Sequence, residues 1–429
     1  LSPLFLIYKI ISIISTTNYL NKKYIDSHFI PCFWIATEDH DFQEISSFKL
    51  EDSIYRWNLE TQDAIGNLES KSLLKILNQI KHILITTSYG KELFKYYNHA
   101  YRNNLNYADA TRSLLTSLFG DYGLVVVDGN HVRLKELFVS DLKEDILNGF
   151  VYDTVSRTNK VLKKKYKPKI NSMQSNIFYL SNSIRSKIKL KNNIYFTEGH
   201  SQTWSQSELL NEIDKFPENF SPNVFLRTLY QESIMSNILY LGGPSEISYW
   251  LQLKNMFDAR QIHYPILALR SHFLILSKKI SHLKSKLNLE SLDLFLDYEE
   301  KVKKILYKTS SLKINKKFSN LKKILLNLEN EFQSIEGFPI NSFYVFQTRF
   351  QNEFSRLNSK ILKFEKIRNQ HLLNKIKLLD SELFPNKSPQ ERMNSFIPYY
   401  IKYGKAFFDS LIKESSIFHN KYTILTEEE

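Results

Sequence analysis

Cysteine is almost absent: one residue, Cys32, in a chain of 429. That excludes an internal disulfide framework and a zinc site built from cysteines, and it favours a reducing, cytoplasmic setting. Glycine and proline are also scarce, at 11 each, while 42% of residues are hydrophobic, so the chain is neither fibrous nor of the disordered, low-complexity kind. No apolar run reaches the ~18 residues a membrane-spanning helix needs. Acidic residues are outnumbered, 45 against 58 Lys plus Arg, for a net charge of +13. Such a balance suits nucleic acid, a lipid surface or a small anionic substrate. The lysines are scattered along helical stretches, as at Lys163, Lys164, Lys165, Lys316 and Lys317. This is the pattern of a solvated face, and it argues against nucleic acid.

The apolar start, residues 1–14, lacks what a signal peptide requires. It has no initial methionine, Lys9 interrupts it, and no small-residue cleavage site precedes Lys22 and Lys23. Leu6, Ile7, Ile10, Ile11 and Ile14 instead recur at helical spacing. A helix beginning just after Ser2 and Pro3 leads us to expect a preceding strand and loop outside this sequence.

Length alone argues for a main domain with large insertions. Continuous apolar runs at 29–36, 124–128, 238–241 and 265–269 read as buried strands of a parallel sheet alternating with helices. The predicted class is α/β with a Rossmann-like, doubly wound core. The expected parts are core at 1–50, a mostly helical insertion at 51–117, a core strand region at 118–140, a second insertion at 141–215, and core again at 216–273. Short strands are predicted at 177–180 and 194–197. From 274 to 384 the pattern changes: Phe318, Leu321, Leu325, Leu328, Phe332 and Ile335 form a heptad seam. Residues 336–339 break it, and Phe343, Phe346, Phe350, Phe354, Leu357, Ile361 and Phe364 resume it. Two helices joined by so short a turn run antiparallel, and the Phe-rich seam suits either an internal hairpin or a homodimer. The last part, 385–429, reads as a helical segment docking on the body.

Polar residues stand where the strands end. Thr37, Glu38, Asp39, His40 and Asp41 follow the first strand, at the carboxyl edge where open parallel sheets bind ligands. Carboxylates there can hold a nucleotide's magnesium and a histidine can move protons; alternatively Asp39 or Asp41 caps the next helix. Gly242 and Gly243 follow another strand and lead into a helix carrying Glu246, Tyr249 and Trp250. That arrangement is open to an anion through free N–H groups, but Glu246 in the first turn would favour an amine or hydroxyl. Asn223, Arg227, Tyr230 and Gln231 fall at i, i+4, i+7 and i+8, a polar stripe with a guanidinium suited to carboxylate or phosphate. Gly120 and Asp121, in the turn before the second strand, are weaker candidates for a cofactor. Cys32 lies within an apolar strand and reads as packing. No metal ligand set can be read.

Taken together, the segments 33–45 (FWIATEDHDFQEI), 119–128 (FGDYGLVVVD), 220–232 (FSPNVFLRTLYQE), 240–254 (YLGGPSEISYWLQLK) and 385–392 (PNKSPQER) resemble the bacillithiol biosynthesis cysteine-adding family over nearly the whole chain. The resemblance implies a Rossmann-like core related to nucleotidyltransferases and class I aminoacyl-tRNA synthetases, with a dimer-forming coiled coil. It further implies a ligase that joins the carboxyl group of cysteine to the glucosamine nitrogen of glucosaminyl malate, with ATP, and with it Mg, as expected co-substrates. Carried onto these positions, Glu38, Asp39, His40 and Asp41 would do metal and proton work. Asn223, Arg227 and Gln231 would bind carboxylates or hydroxyls, Gly242, Gly243, Tyr249 and Trp250 would line the substrate pocket, Glu246 would meet the amine, and Gly120 and Asp121 would face the nucleotide. The family also carries an upstream segment with a threonine-glycine-glutamine type motif that this sequence lacks, so the chain alone is expected to have little ligase activity. Rival readings are a nucleotidyltransferase acting on another small acceptor and a non-catalytic coiled-coil scaffold.

Overall fold

The structure, a computed structural model, describes residues 3–51, 53–61, 63–171, 173–181, 184–198, 202–309, 314–418 and 421–427. Leu1 and Ser2 lie outside the described residues, as do the side chains of Glu44 and Phe318. Two compact units are present. The first comprises residues 1–272 and 391–423, the second residues 273–390 and 424–429.

The first unit has the mixed α/β, Rossmann-like architecture. Its parallel strands form two pairs. Cys32–Ile35 runs beside Val125–Asp128 with Ile35 opposite Asp128; Leu239–Gly242 runs beside Ile266–Leu269 with Gly242 opposite Leu269. Each pair therefore presents two carboxyl ends side by side. The opening helix, Leu4–Lys23, is buried on more sides than its amphipathic spacing predicts. Tyr8, Ser12, Thr16 and Thr17 are inside along with Leu4, Ile7, Ile10, Ile11 and Ile14. The reason is cover from the C-terminal helices Ile397–Tyr403 and Lys405–Glu414: the chain there accepts the Ser15 hydroxyl at the Ser415 carbonyl, 3.1 Å, and the Leu4 N–H at Asn394, 2.9 Å. The buried hydroxyls of Ser12 and Thr16 satisfy themselves on carbonyls one turn back, at Tyr8 and Ser12.

The first insertion opens with a hairpin, Ser47–Leu50 against Ser53–Arg56, and continues in the helices Leu74–Leu84, Ser88–Asn103 and Tyr107–Phe119. The second insertion carries the helices Val139–Asn148 and Phe150–Leu162, then an antiparallel sheet ordered Thr203–Trp204, Ile194–Thr197, Ile184–Lys191, Ile177–Ser181 and Phe220–Pro222. Its alternating strands bury Ile177, Tyr179, Ile188, Tyr195, Trp204 and Phe220 in one core with Phe225, Leu226, Leu229, Trp250 and Phe257. The insertion and the core helices thus share a hydrophobic interior.

The second unit is helical: Lys278–Lys286, Tyr298–Thr309, Ile314–Gln333, Ile340–Arg368 and Gln370–Leu383. Gln333 donates to the Tyr344 hydroxyl at 3.1 Å and Gln347 to Glu329 at 3.2 Å. Rising numbers on one helix meet falling numbers on the other, so the pair is antiparallel, as the heptad pattern predicts. The turn between them stacks Phe332 on Phe338 at 4.6 Å. Near the base, Lys301 is wholly buried but pairs with Asp380 at 2.6 Å and lies over the Phe384 ring.

One buried ion pair closes the carboxyl side of the first unit. Arg270, just past Ile266–Leu269, forks onto Glu391 at 2.9 and 2.6 Å, and His272 lies 3.4 Å from the same carboxylate. Burial alone would raise the Glu391 carboxyl, but the hydrogen bonds and charges of His272 and Arg270 outweigh it and hold it at about 2. A depressed carboxylate contributes stability that is present above its unfolded value of 4.5 and is lost as pH falls toward the folded one. Glu391→Gln is therefore expected to cost about 3 kcal/mol near neutral pH in urea unfolding, with the difference from wild type shrinking between pH 4.5 and 2. A difference independent of pH would contradict this assignment.

Candidate active site

Strand register sets the first half of the site. Because Ile35 pairs with Asp128, Thr37 arrives beside Asp128 and its hydroxyl donates to that carboxylate. The short turn Ile65–Asn67 clamps the next residues, with Gly66 N–H on the Thr37 carbonyl at 2.8 Å and Ile65 N–H on the Asp39 carbonyl at 2.7 Å. A Cβ on Gly66 would come 2.6 Å from the Thr37 Cβ, so this approach requires glycine. Glu38 is buried and meets the equally buried Lys135 ammonium at 2.8 Å, while Lys135 also donates to the Glu218 carbonyl. Asp39 accepts the N–H groups of His40 and Asp41 at 2.8 and 3.4 Å. His40 remains half exposed, 3.7 Å from Asp39. Asp41 precedes the helix Phe42–Ile45 without capping it through its side chain.

An arginine from the inserted sheet reaches this cluster. Arg185 lies with its guanidinium 3.4 Å from His40 Nδ1, donates to Ser221 Oγ and the Pro222 carbonyl, and stacks 3.8 Å over Phe178. Its basicity is lowered by burial, supported by Glu38 and Asp39, and lowered further by Arg227. Arg227 sits in the first turn of the helix Leu226–Met235. That helix is anchored to the carboxyl end of Val125–Asp128, where the Tyr230 phenol donates to the Gly129 carbonyl at 2.7 Å.

The second half lies around Glu246. The helix Pro244–Trp250 starts directly after Leu239–Gly242, and Glu246 turns back to accept the Gly243 N–H at 2.7 Å and the Lys9 ammonium at 2.6 Å. The N–H offered by the double-glycine turn is thus taken by the chain's own carboxylate, and the amine at Glu246 belongs to Lys9. Gly242 is small because a Cβ there would press on the Tyr240 ring and the Glu246 side chain. Tyr249 joins the halves. Its phenol is raised by burial, while Arg227 and Tyr240, both hydrogen-bonded to it, oppose that rise.

Several predicted residues fall elsewhere. Asn223 is spent structurally, because its side-chain oxygen accepts the N–H groups of Phe225 and Leu226 and its amide donates to Asn176. The helix begins after it, at Leu226, so the expected four-residue stripe is not one face. Gln231 is buried and donates to Glu232. Trp250 is 1% exposed and packs on Tyr240 at 4.3 Å, inside the core. Gly120 and Asp121 form a turn before Val125–Asp128, at the opposite strand end from Asp128, and Asp121 pairs with Lys405. Lys9, Lys135, Asp128 and Arg185 were not predicted; only Arg185 left a trace, as a charge in an alternating strand. Among the described residues no three His, Cys, Asp or Glu side chains are placed to share a metal ion. Among them, too, no helix is long and apolar enough to cross a membrane.

Fold and site define a Rossmann-like protein with Glu38, Asp39, His40 and Arg185 gathered at the carboxyl end of Cys32–Ile35. Residues 2–271 match the Rossmann-like N-terminal domain of bacillithiol biosynthesis BshC, and residues 273–427 match its C-terminal coiled-coil domain. The chain belongs to the bacillithiol biosynthesis BshC family. It is 34% identical to a protein of Flavobacterium johnsoniae, over 99% of this chain and 80% of that one, and 33% identical to one of Flavobacterium psychrophilum, over 95% and 77%. A protein of Bacillus cytotoxicus is 26% identical over 99% and 82%. All three carry the name "Putative cysteine ligase BshC".

The buried Glu38–Lys135 pair gives a direct check of the first half-site. Lys135→Met strands a buried carboxylate and is expected to cost about 3 kcal/mol or more in unfolding experiments. Adding Glu38→Gln to it should restore much of that loss, a coupling that additive effects of the two substitutions would refute.

Proposed function

We propose that this chain is a ligase that forms an amide bond between the carboxyl group of cysteine and the amine of glucosaminyl malate, the closing step of bacillithiol synthesis. Family membership and the names of the relatives support the reaction class. The observation that carries the reading is the Arg185 guanidinium 3.4 Å from His40 at one strand end, with the Glu246 carboxylate held by Gly243 and Lys9 after another. Amide formation needs an activated carboxyl group, a free amine and a proton acceptor held together.

In this reading ATP, as co-substrate, phosphorylates or adenylates the cysteine carboxylate and so supplies a leaving group. Glu246 keeps acceptor capacity beyond the Lys9 and Gly243 bonds and orients the sugar amine. The amine nitrogen attacks the carboxyl carbon, the carbon–oxygen bond to the phosphoryl-bearing oxygen breaks, and nitrogen sheds a proton. Glu246 or the half-exposed His40 takes up that proton. Guanidinium groups at Arg185 and Arg227 hold the acidic substrate. No step is assigned to magnesium. The single cysteine and the biosynthetic role favour a cytoplasmic enzyme acting on small molecules, not on nucleic acid.

The arm is proposed to carry the dimer contact. On Ile340–Arg368, Phe346, Leu357, Phe364 and Ile367 remain half or more exposed, and apolar residues along one long helix favour burial against a second copy. Sedimentation of the chain should give a dimer that Phe364→Glu weakens about tenfold or more; a concentration-independent monomer would rule the arm out.

Incubation of the chain, extended by the family's upstream segment, with glucosaminyl malate, cysteine and ATP, read by product mass, should yield the cysteinyl amide. Glu246→Gln should lower kcat/KM about 100-fold. Unchanged ligation would remove Glu246 from the mechanism, and an amide formed with some other acceptor would redirect the assignment.

A further inference from the structure

Positive charge is concentrated in the second insertion. Residues 154–197 contain eleven Lys and Arg and no Asp or Glu, against a net charge of +13 for all 429 residues. The rest of the chain is thus nearly neutral. Along the sequence these lysines read as a solvated helical face, but strand register arranges part of them otherwise. On Ile184–Lys191, Ser186 and Ile188 are buried toward the core, so Arg185, Lys187, Lys189 and Lys191 share the outer face, about 6.6 Å apart from one to the next. Arg185 is engaged with Ser221, Pro222 and His40. The three lysines carry the row on from it for about 13 Å. Each stands opposite an apolar residue of a neighbouring strand: Lys187 opposite Phe178, Lys189 opposite Phe196, Lys191 opposite Ile194. Arg185 covers the Phe178 ring at 3.8 Å, whereas Phe196 is half-buried and Ile194 is 50% exposed. An outer face kept only for solvation would carry polar residues there.

Compensating charge is slight. Lys189 pairs with Glu198 at 2.6 Å, but both are exposed, and such pairs are weak in water. Lys187 rests against the Met173 sulfur at 3.0 Å. Among the described residues Lys191 forms no ion pair, nor do Lys163, Lys164, Lys165, Lys167 and Lys169. That run ends four residues before Met173, within about 14 Å of it by chain reach.

We propose that the outer face of the inserted sheet is a binding platform for single-stranded nucleic acid, on which Lys187, Lys189 and Lys191 meet successive backbone phosphates and the Phe196 ring stacks against a base. The lysine run at 163–169 extends the same track. A regular row of ammonium groups suits a linear polyanion. An aromatic ring set among them favours one with unstacked bases, which a duplex does not offer. An anionic lipid surface is matched instead by apolar residues gathered along one side of an amphipathic helix, not by single apolar residues alternating with lysines across a ladder. This binding is a second function beside the small-molecule chemistry and does not rest on the ligase reading: the nucleic acid is held, not turned over.

The test is fluorescence anisotropy of a labelled oligouridylate of about 12 nucleotides titrated with the full chain over a range of salt, with a duplex of the same length and phosphatidylserine vesicles as comparisons. Wild type is expected to bind the single strand more tightly than the duplex. Replacing Lys187, Lys189 and Lys191 together by Gln should reduce the slope of log affinity against log salt by about 2. Phe196→Ala should weaken binding about tenfold while leaving that slope unchanged; Phe196→Leu, which keeps an apolar side chain and removes the ring, serves if the alanine variant fails to fold by circular dichroism. Oligothymidylate bound as well as oligouridylate upholds the platform, because stacking and phosphate contacts ignore the 2′-hydroxyl. No binding by wild type, a duplex bound as tightly as the single strand, affinity unchanged in the folded variants, or vesicles bound in place of the oligonucleotide would each overturn the proposal.

Discussion

The site depends on one backbone carbonyl. Gly129, the first residue beyond the strand Val125–Asp128, accepts the Tyr230 phenol and lies so close to Trp34 that a Cβ would come 2.2 Å from its ring. Trp34 in turn meets Tyr230 edge-on at 5.3 Å. This knot ties three sequence-distant pieces together: the strand that ends at the acidic segment, its parallel neighbour, and the helix bearing Arg227. Phe138 packs on the same tyrosine at 4.8 Å, so the phenol is held from several sides.

Charges with purely structural work are fully paired, as with Arg270 and Glu391 or Lys301 and Asp380. Arg185 instead donates to Ser221 and the Pro222 carbonyl and lies 3.4 Å from His40, which stays half exposed. The second insertion, expected from the sequence as a lysine-rich subdomain near the sheet's active edge, shares the hydrophobic interior of the core helices and puts one strand's arginine beside His40.

Much of the scaffold was legible because hydrophobic pattern is a local property. The apolar runs at 29–36 and 238–241 contain or overlap the strands Cys32–Ile35 and Leu239–Gly242, the strand at 194–197 falls where its alternation places it, and the heptad seam gives the antiparallel helices. What failed was anything decided by a partner far away. Asn223 looked like a binding residue because its polarity was counted on a helix face, whereas hydrogen bonding to Phe225 and Leu226 makes it the residue that starts the helix. Trp250, assigned to the substrate pocket by resemblance, is core. Lys9 reaches Glu246 across 237 positions and His40 meets Arg185 across 145, separations at which no periodicity operates. Gly120 and Asp121 were placed by motif alone, and strand direction sends them to the far end.

The central claim is that the acidic segment, Arg185 and the Glu246 helix face one cleft. A crystal structure of the chain grown with malate tests it most directly. The account predicts ligand density on the Arg185 guanidinium, with His40 and Tyr249 at its margins and the Glu246 carboxylate opening onto the same space. Arg185 and Glu246 turned to different faces of the molecule, or malate bound away from both, would contradict it.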